Sequence, residues 1–210
     1  MMKKLTNMQR DALREIGNIG SGNAATSMAK MMQNKVEMAV PDLKIIAFEE
    51  VMDMLGGAET TVVANMFRIN GNAPGTVFLI MSLEEADSIA QHFSGLELFD
   101  CQDDPEPLGV SAIQEFANIL TSAYVSALAD FTGLHMQPSV PLISIDMAGA
   151  VISQGLVEIS QANDYAIIID TVMNVPAKKG MVQSNGQFLL LPDPDSLPKI
   201  FSALGISYDE

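Results

Sequence analysis

Residues 11–18 read DALREIGN and residues 111–118 read SAIQEFAN. The two stretches share a polar pattern, with Asp11, Glu15 and Asn18 matched by Ser111, Glu115 and Asn118. Each is followed by a proline, Pro41 or Pro141, with 22 residues between the Asn and the Pro. At ordinary usage of about 5% per residue type, three such matches at fixed offsets arise at roughly 10⁻⁴ per alignment. The chain is therefore read as an internal duplication, its copies displaced by 100 positions.

The spacing is helical. Residues three and four apart share one face of a helix, and at about 100° per residue Glu15 lies about 40° to one side of Asp11 and Asn18 about 20° to the other. Leu13, Ile16, Gly17, Ile19, Gly20 and Ala24 take the opposite side, as do Ile113, Phe116, Ala117, Leu120 and Tyr124 in the second copy. A carboxylate and a carboxamide thus share an outward arc, twice. A solvated helix face is the ordinary reading of one such arc. Asn gains nothing in the middle of an exposed helix, and two of them in identical register favour a functional reading. Pro41 and Pro141 read as residues that end an element or open a strand.

Outward from the motif, the first copy reads as a helix over 7–33, strands over 43–49, 61–68 and 75–82, and a helix over 83–93. Asn70–Gly71 with Asn72 marks a hairpin between the second and third strands. The stretch 95–109 is acidic and turn-rich and reads as a connector. The second copy reads as a helix over 110–133, strands over 142–146, 150–160, 165–172 and 186–191, and a helix over 195–204, with Asn163–Asp164 in the place of the Asn-Gly turn. Hairpins dominate, so the expected class is α+β with a mostly antiparallel sheet. Each half alone would leave apolar sheet uncovered. The expectation is one fused domain over 1–210 with pseudo-two-fold symmetry, its repeats spanning about 1–100 and 101–210.

Composition narrows the function. The chain has 210 residues, 48% of them hydrophobic, and a formal net charge of −15. That charge argues against nucleic acid, whose backbone attracts Lys and Arg. The longest apolar stretches are far shorter than the ~20 residues that cross a bilayer, and no apolar secretory core follows Lys3 and Lys4. Cys101 is the single cysteine, so no internal disulfide forms, and cytoplasm is the expected compartment. Its neighbours Asp100, Asp103 and Asp104 disfavour a catalytic thiolate. His92 and His135 have no partners at metal-ligand spacing, and no metal site is expected. Gly17, Gly20 and Gly22 lack the Lys-Ser/Thr ending of a phosphate loop; they suit a helix whose backbone closely approaches a neighbour.

On the doubled pattern of Asp or Ser, three residues, Glu, two residues, Asn, 22 residues, Pro, the chain resembles the CheC-type chemotaxis phosphatases, a family that includes CheC, CheX and FliY. Both copies fit without a gap, and two copies with no appended domain is the CheC pattern within that family. The resemblance implies hydrolysis of the aspartyl-phosphate on the response regulator CheY. An acyl phosphate is already reactive, so the catalyst needs chiefly a placed water and managed charge. A carboxamide can donate and accept at once and can hold a water in line with phosphorus. Asn18 and Asn118 are the candidates for that role. Glu15 and Glu115 are expected to pair with a cation on the regulator, which the resemblance implies is a lysine. Asp11 and Ser111 are too unlike to share an acid–base role and are read as supporting residues.

No cofactor of the chain's own is expected, and any magnesium should arrive with the phosphorylated regulator. The resemblance also implies association with the receptor deamidase CheD, for which Gln33, Asn34 and the stretch 146–150 are docking candidates. The competing reading is an interaction protein that sequesters phosphorylated CheY or regulates CheD without hydrolysis.

Overall fold

The computed structural model describes residues 5–40, 43–95, 97–98, 108–159, 165–177 and 180–207. The first helix, α1 (Asn7–Met32), starts on a reciprocal cap. The Thr6 hydroxyl accepts from the Gln9 N–H at 3.2 Å, and Gln9 Oε1 accepts from the Thr6 N–H at 2.9 Å, which satisfies two of the donors a helix start leaves open. The helix stops where Gln33 turns left-handed at φ 50°. There follow β1 (Glu37–Ala39), β2 (Leu43–Ala47), α2 (Phe48–Met54), β3 (Thr61–Gly71), β4 (Gly75–Ser82) and α3 (Leu83–Ser94). The second half repeats this order as α4 (Leu108–Thr132), β5 (Met136–Pro138), β6 (Leu142–Met147), α5 (Ala148–Ile159), β7 (Tyr165–Ala177), β8 (Gly180–Pro192) and α6 (Ser196–Ala203).

The eight strands form one sheet in the order β1-β7-β8-β4-β3-β5, with β2 also on β7 and β6 also on β3. Every ladder among the described residues is antiparallel. The central pair is β4 with β8, where Phe78 stands opposite Leu189. Each is the third residue after a glycine, Gly75 or Gly186, so the pseudo-two-fold passes between them. The halves are interlocked rather than merely adjacent. β1 and β2 of the first half add to β7 of the second, and β5 and β6 of the second add to β3 of the first.

Both faces of the sheet are covered. Val63, Phe67, Val77, Leu79, Ile167 and Phe188 pack with residues of α1, α3, α4 and α6. The alternate residues Val62, Ala64, Phe78, Ile80, Ile168 and Leu189 pack under Val51 of α2 and Val151 and Ile152 of α5. A strand buried on both sides has no polar alternation, which is why 77–81 reads as an unbroken apolar run. The α+β class, the antiparallel sheet and the duplicated single domain are as the sequence suggested.

Four details differ. The stretch 150–160, expected as a strand, belongs to α5. Its β-branched residues suggested extension, but buried Ala148, Val151 and Ile152 stand at helical spacing, and the helix is what covers the second sheet face. Its start is tied to the first half, the Ala148 and Gly149 N–H groups donating to the carbonyls of Thr60 (2.8 Å) and Ala58 (2.9 Å). In the first half the strand expected over 43–49 ends at Ala47, and α2 takes the matching place. The three-residue strands β1 and β5 escaped prediction because strands so short carry no periodicity. Asn163–Asp164 lie outside the described residues, and the second hairpin reverses later, between Ala177 and Gly180. The connector around Cys101 is also largely outside them.

The expected hairpin at Asn70–Gly71 is present, and it holds the other half. Gly71 has φ 118°, and a Cβ there would lie 2.1 Å from the His135 carbonyl oxygen. The Asn72 N–H donates to that same carbonyl, and Asn72 Oδ1 accepts from the His135 N–H, each at 2.8 Å. The two motif helices meet at Gly20, where a Cβ would lie 2.3 Å from Tyr124 Cδ1 and 3.0 Å from Tyr124 Cα. Tyr124 is buried edge-on to Phe188 with ring centroids 4.8 Å apart. Its hydroxyl is 3.0 Å from Thr171 Oγ1. Burial pushes its phenol up to about 12, against a smaller opposing pull from Thr171.

Two outcomes follow from this contact. Gly20→Ala should lower stability by about 2 kcal/mol because the Tyr124 backbone blocks the added methyl. Gly22→Ala, which meets nothing within 4 Å, should raise it by about 0.5–1 kcal/mol; urea unfolding of both variants reads the contrast. The Tyr124 phenol ionises near 10.0 when unfolded but near 12 when folded, so the folded state holds the proton longer. Its contribution is complete below pH 10 and is lost as pH rises towards 12. Urea midpoints taken at pH 8 and pH 11.5 should therefore fall less in Tyr124→Phe than in the parent.

Candidate functional site

Leu13, Ile16, Gly17, Gly20 and Ala24 of α1 are buried, as are Ile113, Phe116, Ala117, Leu120 and Tyr124 of α4. With those faces committed to the core and to each other, the polar arcs can only face out. Asp11, Glu15 and Asn18 are exposed; Ser111 and Glu115 are exposed, and Asn118 is half-buried. All six candidate residues are reachable from solvent. Each trio is carried on one helix of 25 or more residues, so its internal geometry is set by helix pitch rather than by a loop.

The surroundings of the two trios differ. Asp11 lies 3.7 Å from the Arg14 guanidinium, the two side chains 71% and 54% exposed, a pairing worth under about 1 kcal/mol. Ser111 has uncharged Gln114 at the equivalent place. The Ser21 hydroxyl donates to the Asn18 backbone carbonyl at 2.8 Å, a local bond within α1. The Asn18 side chain has a long-range partner, its Oδ1 accepting from the Val40 N–H at 3.4 Å. Sequence reading missed this contact. Its signal was the fixed count from Asn to proline, since Val40 immediately precedes Pro41. Pro41 itself lies outside the described residues; Pro141 is half-buried in the connection from β5 to β6.

Other candidates resolve simply. His92 sits on α3 with its Nδ1 against the Ser88 carbonyl, and His135 is exposed. Gln33 is the left-handed C-cap of α1, and Asp146 Oδ1 accepts from the Met147 N–H at 2.7 Å. Among the described residues no three His, Cys, Asp or Glu side chains converge into a metal site. Among them too, no helix is long and apolar enough to cross a membrane.

Against known proteins, the model of the CheC-like family matches residues 8–45 and 108–145, the two motif segments. The chain is 41% identical over 200 residues to the CheY-P phosphatase CheC of Bacillus subtilis (strain 168), covering 95% of each. It belongs to the CheC-like family. The flagellar motor switch phosphatase FliY of the same organism is 23% identical over 141 residues, 67% of this chain and 36% of that one. Among solved structures, Thermotoga maritima FliY superposes with a TM-score of 0.76 at 18% identity, over 97% of this chain and 98% of the other. The FliM middle domain from H. pylori gives 0.64 at 14% identity, over 95% and 99%. The CheC-like fold is thus shared well beyond recognisable sequence similarity.

Exposed motif residues can be changed without cost to the core. Glu15→Ala, Glu115→Ala and Ser111→Ala should each alter stability by less than about 0.5 kcal/mol, read as the urea midpoint.

Proposed function

We propose that the protein is a phosphatase that hydrolyses the aspartyl-phosphate of the chemotaxis response regulator CheY, at two pseudo-equivalent sites on α1 and α4. The observation that carries the reading is near full-length similarity to a CheY-P phosphatase in a chain that presents its Glu–Asn pairs to solvent twice. Each motif helix docks against the regulator. Asn18 or Asn118 holds a water by its carboxamide, and Glu15 or Glu115 pairs with a cation, a lysine, beside the phosphoryl group. The water oxygen bonds to phosphorus, the bond from phosphorus to the aspartyl oxygen breaks, and the products are a free carboxylate and inorganic phosphate. Placing the nucleophile is most of the task for so reactive a bond. Asp11 and Ser111 support the helix surface.

Among the described residues no cluster of carboxylates fits a resident ion. Magnesium comes with the regulator's acidic pocket. CheD is the second partner in this reading, supported by family resemblance, and the compartment is the cytoplasm, supported by the lone cysteine and the absence among the described residues of a membrane-spanning helix.

The test is phosphate release from acetyl-phosphate-charged CheY with this protein substoichiometric. Many equivalents should be released per molecule, whereas a sequestering protein would leave the phosphoryl group in place. Asn18→Ala and Asn118→Ala should each lower turnover, and the double variant should lose about a hundredfold. Undiminished turnover in the double variant would overturn the mechanism.

A further inference from the structure

We propose that the backbone N–H of Val40 is a positioning group for Asn18, which makes the first site preorganised in a way the second is not. The inference rests on the phosphatase reading for its catalytic meaning, but its structural half stands apart from it.

An N–H can only donate, so the Asn18 side-chain atom that faces it is Oδ1, and Nδ2 is turned away. The contact therefore decides which end of the amide is which. Val40 is held in place to make it. Its side chain is 4% exposed, and its Cγ2 lies 3.6 Å from where a Cβ on Gly17 would be. Gly17 is the residue before Asn18 on the same helix, so the valine is seated where its N–H meets the amide. The following Pro41 disfavours helical dihedrals at Val40 and keeps this segment extended. In the first copy the count from Asn to Pro thereby gains a chemical reason. It is the length of chain that brings a strand end back to the amide.

The second copy is an internal control. It has the same motif and the same count, yet Val140 is 79% exposed, and Ala117 replaces Gly17. Among the described residues no hydrogen bond joins Val140 to Asn118. Asn118 must be ordered when the regulator docks, whereas the Asn18 carboxamide plane is set beforehand. Its Oδ1 keeps a second lone pair and its Nδ2 two hydrogens for water. Ordering a side chain in advance lowers what the docked complex must lose in freedom.

The structural half is tested by hydrogen exchange of the Val40 amide, read by NMR on this protein without any regulator. Exchange should be slow in the parent and in Asn18→Asp, which keeps an acceptor oxygen, and at least about tenfold faster in Asn18→Ala. Equal exchange in the parent and Asn18→Ala overturns the proposal. The catalytic half uses Asn118→Ala protein, in which only the first site remains. Replacing the Val40 amide by an ester, which removes the N–H but keeps the side chain, should lower kcat about fivefold with KM unchanged. An unchanged kcat, or a change confined to KM, overturns the positioning role. If the Asn118→Ala protein releases no phosphate while the unsubstituted protein does, the first site is idle and the positioning role is overturned. If the unsubstituted protein releases none, the function itself is wrong while the exchange result still stands.

Discussion

The fold depends on a reciprocal exchange of strands. β1 and β2 leave the first half to pair with β7, and β5 and β6 leave the second to pair with β3. Neither half can satisfy its own edge. A lone β3–β4 hairpin would present unpaired N–H and C=O groups along Thr61–Gly71, the exposed edge that sheets avoid. The exchange explains why a chain with two copies of everything is one domain. It also explains why α1 and α4 must lie together, since each helix is followed within a few residues by a strand bound to the opposite half.

That juxtaposition builds the sites. Gly20 lets the helices approach to the Tyr124 backbone, and the apolar faces of α1 and α4 close over the sheet. What remains outward on each helix is the arc of Glu15 and Asn18, or of Glu115 and Asn118. A long helix is a stiff support, so a carboxylate and an amide three residues apart keep a constant separation in both copies. The chemistry asked of them is small because the bond to be cleaved is already activated. Rigidity of the platform then counts for more than any unusual acidity.

Duplication also leaves room for the copies to diverge. Val40 is tucked against α1 while Val140 stands in solvent, although both precede a proline at the same count. Asp11 has Arg14 nearby where Ser111 has Gln114. Identical motif letters therefore stand in unequal settings, and the difference lies in the backbone that returns to each helix.

The sequence by itself determined the repeat, the two helices, their outward polar arcs, the hairpin at Asn70–Gly71 and the antiparallel α+β class. These rest on periodicity and turn chemistry, which are local and survive in a string of letters. It misread 150–160 as a strand because β-branched residues favour extension locally, while the uncovered second face of the sheet selected a helix there. It could not show which half each strand joins, that Gly20 faces Tyr124, or that Asn18 meets Val40. Those contacts join residues far apart along the chain, and only the packing of both halves together brings them within a few ångströms.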